Sequence, residues 1–268
     1  KGNSRIHNDD CEQFVQWFIA QAKAEGCETC IFLGDWHHHR SATNVSTMNY
    51  TVSNMERLGK AFENVYVIMG NHDIPYRSTK DGYRKSDFIH RFSGHGPKDT
   101  AAYWRHDCAG KKITFIGLDT TTQTSSSGAI GLKQQEWLEQ ILSGIDDDRH
   151  VVLLTHHPFI VFDPEIEEIT DMDIFVLDNH REIRDIIQRH NCVKLVISGH
   201  NHTCRLIQEN GITYIGCPSI NTWPAKFSRF LLRRGNVEFA HQKIRDQEKN
   251  LEIKQMILGS ESPWVPIL

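Results

Sequence analysis

Leu195-Val196-Ile197-Ser198-Gly199-His200-Asn201-His202 decides how this chain is read. An apolar run stops at a glycine, and imidazoles follow at once. The same grammar occurs three more times. Cys30-Ile31-Phe32-Leu33 runs into Gly34-Asp35, and Val65-Tyr66-Val67-Ile68-Met69 into Gly70-Asn71-His72-Asp73. Val151-Val152-Leu153-Leu154 is followed, after Thr155, by His156-His157-Pro158. Short apolar runs bounded by glycine or polar residues suit parallel strands buried on both faces. Ligands of such sheets bind beyond the carboxyl ends of the strands. One Asp, one Asn and several His therefore converge on one rim. That set of oxygen and imidazole groups suits a divalent metal.

Working outward, helical periodicity fills the gaps between these runs. Residues 9–25 place Phe14, Trp17, Phe18 and Ala22 on one face, and Gly26 ends the helix. Residues 49–62 carry Met55, Leu58 and Phe62; residues 132–142 carry Trp137, Leu138 and Ile141; a further helix covers about 179–190. This alternation is that of a layered α/β fold. Residues 75–110 read as irregular, and Lys112–Leu118 as a strand ending at Asp119. After His202 the pattern becomes period two, in four short runs separated by Glu209-Asn210-Gly211 and Arg234-Gly235-Asn236, which reads as antiparallel strands.

Composition narrows the class. The 268 residues, 39% hydrophobic and 24% charged, are enough to bury a core as one large domain or two small ones. No run approaches the roughly 18 apolar residues of a membrane span, and no signal peptide is visible, so the expectation is a cytoplasmic protein without membrane contact. The net charge of -4 argues against general nucleic-acid binding but leaves room for a local basic groove. Seven cysteines, an odd and scattered number, read as reduced thiols. Cys27-Glu28-Thr29-Cys30 has CxxC spacing, but no second pair completes a zinc site, and two packed thiols are the plainer reading.

In order and spacing, the four strand-end segments resemble the calcineurin-like metallophosphoesterases. That family carries D-x-H, G-D, G-N-H-[DE], a single His and G-H-x-H. The last four stand here between Asp35 and His202; the first does not. The chain opens at Lys1-Gly2-Asn3, and His7, Asp9 and Asp10 have a different spacing. It reads as one domain, residues 1–268, that begins just after the first motif and lacks the first strand, leaving a gap in a buried sheet. The fold implied is α/β, with two mixed β-sheets packed face to face between helical layers and metals at the rim.

The resemblance also implies roles. Asp35 is the ligand bridging two divalent ions of manganese, iron or zinc. Asn71, His156 and His200 complete one site, with His156 preferred to His157 by its spacing to Pro158. His202 serves the other site, which is weak without the first motif. His72 is the catalytic group near the leaving oxygen, and Asp73 orients it. His37, His38 and His39 stand close enough in sequence to join the site or touch phosphate.

The reaction implied is phosphoester hydrolysis. From Ile116 to Ser219 the wording resembles the cyclic-nucleotide phosphodiesterase branch, which favours a small phosphodiester. From Gly34 to His72 it resembles phage-type SbcD nucleases, and Arg77, Lys80, Arg84, Lys85 and Arg91, with Arg229, Arg233 and Arg234, could meet nucleic-acid phosphates. A catalytically impaired scaffold of the same fold is the third reading. Nothing in the sequence fixes an oligomeric state.

Overall fold

The computed structural model describes residues 6–37, 45–74, 84–98, 101–108, 110–123, 126–146, 148–163, 176–220, 226–233 and 236–243. In chain order the elements are α1 (Ile6–Ala24), β1 (Thr29–Phe32), α2 (Val45–Ala61), β2 (Asn64–Val67), α3 (Lys85–Arg91), β3 (Trp104–Asp107), β4 (Ile113–Gly117), α4 (Leu132–Ser143), β5 (His150–Thr155), α5 (His180–Gln188), β6 (Val193–Ser198), β7 (Arg205–Glu209), β8 (Ile212–Gly216), β9 (Lys226–Arg233) and β10 (Asn236–Lys243).

Six strands form one sheet in the order β3-β4-β5-β6-β8-β7. The inner four run parallel, and β3 and β7 close the edges antiparallel. The strands β1 and β2 pair in parallel, and β9 and β10 form a hairpin.

Strand alternation builds the layers. In β5, Val151 and Leu153 pack with Leu138 and Leu142 of α4 and Ile183 and Ile187 of α5. Val152 and Leu154 point the other way and meet Tyr66 and Ile68 from the β2 region. On the far side of β1 and β2, Cys30 and Val65 pack with Val15, Ala22 and Leu58 from α1 and α2. The result is helices, sheet, sheet, helices. The hairpin joins the second layer: Phe227 packs edge-on against Trp17 and Phe18, and Phe230 reaches the cluster between the sheets. Leu153 is fully enclosed. Leu153→Ala removes its side chain without freeing the neighbours to close in, so stability falls by about 3 kcal/mol, measured by urea denaturation.

Two elements lie where the sequence reads as irregular. The helix α3 buries Phe88 and Ile89, with Phe92 just after it, and the Asp87 carboxylate accepts the Arg84 N–H at 2.7 Å across its first turn. Two turns give too few positions for a period to stand out. The strand β3 is a four-residue edge, Trp-Arg-His-Asp, with only Trp104 buried. After α3 the chain turns back along β2. Val67 N–H donates to the His95 carbonyl at 2.9 Å, and His95 Nδ1 donates to the Val65 carbonyl at 3.1 Å.

All seven cysteines are free. Burial, reinforced by Cys27, pushes the Cys30 thiol up to about 12, as expected of a packed thiol rather than a reactive one. Among the described residues, no helix is long and apolar enough to cross a membrane.

Candidate metal centre

The strands β1, β2, β5 and β6 all end on one rim, and the close approach of their first loop residues shapes it. Gly34 has φ +100°, and a Cβ there would lie 2.6 Å from the Gly70 Cα. The two glycines bring the β1 and β2 ends into backbone contact. Asp35, His200 and His202 all adopt positive φ, at 61°, 60° and 53°. Non-glycine residues seldom hold that conformation, and surrounding structure has to enforce it.

Asp73 does much of the enforcing. Its Oδ2 accepts the N–H groups of Asp35 and Gly70, each at 2.9 Å, and its Oδ1 accepts the Trp36 N–H at 2.8 Å. Asp73, expected from the sequence to orient His72, thus accepts three backbone amides with its carboxylate and clamps the β1 loop to the β2 loop. Burial, together with the Asp35 charge, raises the Asp73 carboxyl to about 6 against the pull of those N–H groups.

Four ligating atoms meet inside this frame. His156 Nδ1 donates to the Leu33 carbonyl at 2.7 Å, so the lone pair of the neutral ring lies on Nε2. That atom is 2.9 Å from Asn71 Oδ1, 3.2 Å from Asp35 Oδ2 and 3.2 Å from His200 Nδ1. Atoms bound to one ion at about 2.0–2.2 Å stand roughly 3.0–3.5 Å apart, so these spacings fit a shared divalent cation. Asn71 and His156 are buried, at 2% and 1% exposure. Burial opposes charge on both Asp35 and His156. Their mutual attraction overrides it, holding the Asp35 carboxyl well below the usual carboxylate range and His156 above its own.

The model of the calcineurin-like phosphoesterase family matches residues 6–204. The chain belongs to this family. A protein of Synechococcus described as a probable cyclic nucleotide phosphodiesterase is 33% identical over 153 residues, 57% of this chain and 51% of that one. The chain thus spans about half the length of this curated relative. Among solved structures, a dimetal phosphatase from Danio rerio superposes with a TM-score of 0.67 at 16% identity, covering 87% of this chain and 86% of that one. A purple acid phosphatase from yellow lupin gives 0.56 at 15% identity, covering 88% and 47%. At such identities the likeness is one of fold.

In this calcineurin-like phosphoesterase the remaining site candidates divide clearly. His72 donates its backbone N–H to Asp35 Oδ1 at 2.7 Å, which places it beside the ligating atoms. His202 stands exposed on the same rim, within electrostatic reach of Asp35 and His72. His37 turns away: its Nε2 bonds to Thr51 Oγ1 of α2 at 2.8 Å, and burial, aided by Arg91, lowers its basicity. His38 and His39 lie outside the described residues, as do Arg77, Lys80 and Arg234 of the basic clusters. The sequence reading weighed His157 only as an alternative ligand and gave no supporting role to His157, Thr120 or Gly128, which pack directly behind the centre. The doubled histidine was the available signal, but H-x-P spacing drew attention to only one of the pair.

Proposed function

We propose that this chain is a metal-dependent phosphodiesterase acting on small diesters, cyclic nucleotides foremost. The observation that carries the metal reading is the meeting of Asp35, Asn71, His156 and His200 from four strand ends. These residues would hold one ion, and Asp35 with His202 would serve a second; mixed carboxylate, amide and imidazole ligands suit manganese, iron or zinc. When bound, such ions supply Lewis-acid polarisation of the phosphoryl group and a nucleophile at neutral pH. The chain's own residues do the rest. Asp35 sets the charge of the site. His72, fixed through its backbone bond to Asp35, delivers a proton to the leaving oxygen from its imidazole.

The choice of a small diester draws support from the Synechococcus relative and from the wording between Ile116 and Ser219. Charge pairing also favours it. Lys85 Nζ lies 2.6 Å from Asp119 Oδ2, and Arg229 pairs with Glu25, so these cations are engaged within the molecule rather than held out to a polyanion.

The test is a parallel assay of bis-p-nitrophenyl phosphate, 3′,5′-cyclic AMP and single-stranded DNA with manganese. The expected result is EDTA-sensitive hydrolysis of the first two. DNA degradation without cyclic-nucleotide hydrolysis would promote the nuclease reading, and inertness toward all three the scaffold. His72→Ala leaves manganese affinity unchanged but lowers kcat for cyclic AMP about 100-fold, with a smaller loss on the p-nitrophenyl ester, whose leaving group needs no proton. A parallel loss of manganese binding in calorimetry would make His72 a ligand instead.

A further inference from the structure

His157 directly follows His156, and the ligating atoms of His156, His157 and His200 all lie within 4.8 Å of one another. Proximity alone would make His157 a metal ligand, but both of its ring nitrogens are committed. Nε2 lies 2.8 Å from the Ser126 carbonyl, and Nδ1 lies 2.7 Å from Thr120 Oγ1. A carbonyl only accepts, so Nε2 carries the hydrogen and Nδ1 the lone pair. The Thr120 hydroxyl donates to that lone pair and accepts the His157 backbone N–H at 3.3 Å. Burial, then the neighbouring His200 and His156, lowers the basicity of the ring.

Gly128 closes the arrangement from behind. Its φ is +72°, and a Cβ there would stand 2.1 Å from the Thr120 carbonyl and 2.7 Å from His157 Nδ1. The ring so fixed packs against His200, with centroids 4.4 Å apart and planes at 53°. It also meets His156 edge-on at 4.9 Å. His200 lies in a loop beyond β6 with left-handed backbone, where no regular ladder sets the direction of its ring.

We propose that His157 is a positioning residue that holds the His200 ring with Nδ1 turned toward Asp35, Asn71 and His156, while Thr120 and Ser126 withhold His157 itself from coordination. This rests on the metal reading above and is tested by binding rather than turnover. Manganese affinity of the full chain is measured by calorimetry, beside the thermal midpoint of the metal-free protein. His157→Ala weakens binding by about 10–100-fold, and His157→Gln, whose amide N–H reaches toward Ser126, recovers most of it. Thr120→Val, nearly isosteric, weakens binding as well, and Thr120→Ser restores it. The double variant His157→Ala/His200→Ala binds no more weakly than His200→Ala alone.

If His157 were a ligand, Thr120→Val would free its Nδ1 and tighten binding; that result overturns the proposal. Additive losses in the double variant overturn it too. Should His157→Ala fail to fold, the Thr120 pair still decides. Wild-type protein that binds no manganese overturns the metal reading and this role together. Wild-type binding that His157→Ala and Thr120→Val leave unchanged overturns this role alone.

Discussion

Asp35→Asn lowers metal-dependent phosphoester hydrolysis by about 10³-fold while leaving the fold in place. Asparagine tolerates positive φ as well as aspartate does, so the 61° backbone at this position survives. The amide oxygen can still accept the His72 N–H now bound to Asp35 Oδ1. The other carboxylate oxygen becomes an NH2 group. It stands 3.2 Å from His156 Nε2, where it presents hydrogens to the point that should hold a cation. Charge is lost and its sign locally reversed at the one carboxylate that faces His156. Calorimetry with manganese and steady-state kcat check the loss, and circular dichroism checks the fold. Activity within about tenfold of wild type would mean that Asp35 does not carry the charge of the site.

Gly70→Ala acts through shape instead. Its Cβ would lie 2.2 Å from Asp35 Oδ1, 2.3 Å from Asp35 N and 2.9 Å from Asp35 Cγ. Asp35 cannot simply retreat, because Asp73 holds its N–H and His156 and His72 engage its carboxylate. The β1 and β2 loops must part, and stability falls by about 3 kcal/mol. For a chain of this size that is a drop of roughly 6–12 °C in Tm by calorimetry. Gly94→Ala is the control, since nothing lies within 4 Å of a Cβ there. A Gly70→Ala protein that melts with the control would show that the two loops are not rigidly joined.

Much of the fold was legible because burial on both faces leaves continuous apolar runs, and β2, β5 and β6 are such runs. The rim followed from what stands after each run: Asp35, Asn71, His156 and His200 meet as the strand-end rule requires. Short and peripheral elements were not legible. The helix α3 is only two turns long, and β3 buries only Trp104. The clamp made by Asp73 was not legible because a sequence shows the neighbour, His72, but not which groups fold back over it. Three backbone amides from two loops are invisible to spacing. The surroundings of His157 were hidden for the same reason: its partners, Thr120 and Ser126, come from the loop after β4, more than thirty positions earlier in the chain.

The turn after α3 also matters for how copies of the chain meet one another. An outer strand normally presents a row of open amides and carbonyls, a template on which a second chain can lay down its own strand. Along the outward edge of β2, the Val65 carbonyl and the Val67 amide are already taken by the ring and carbonyl of a single residue, His95. One histidine thus stands in for a neighbouring strand without offering an edge of its own. On this side part of the edge is already covered, which opposes extension of the small β1–β2 layer from molecule to molecule.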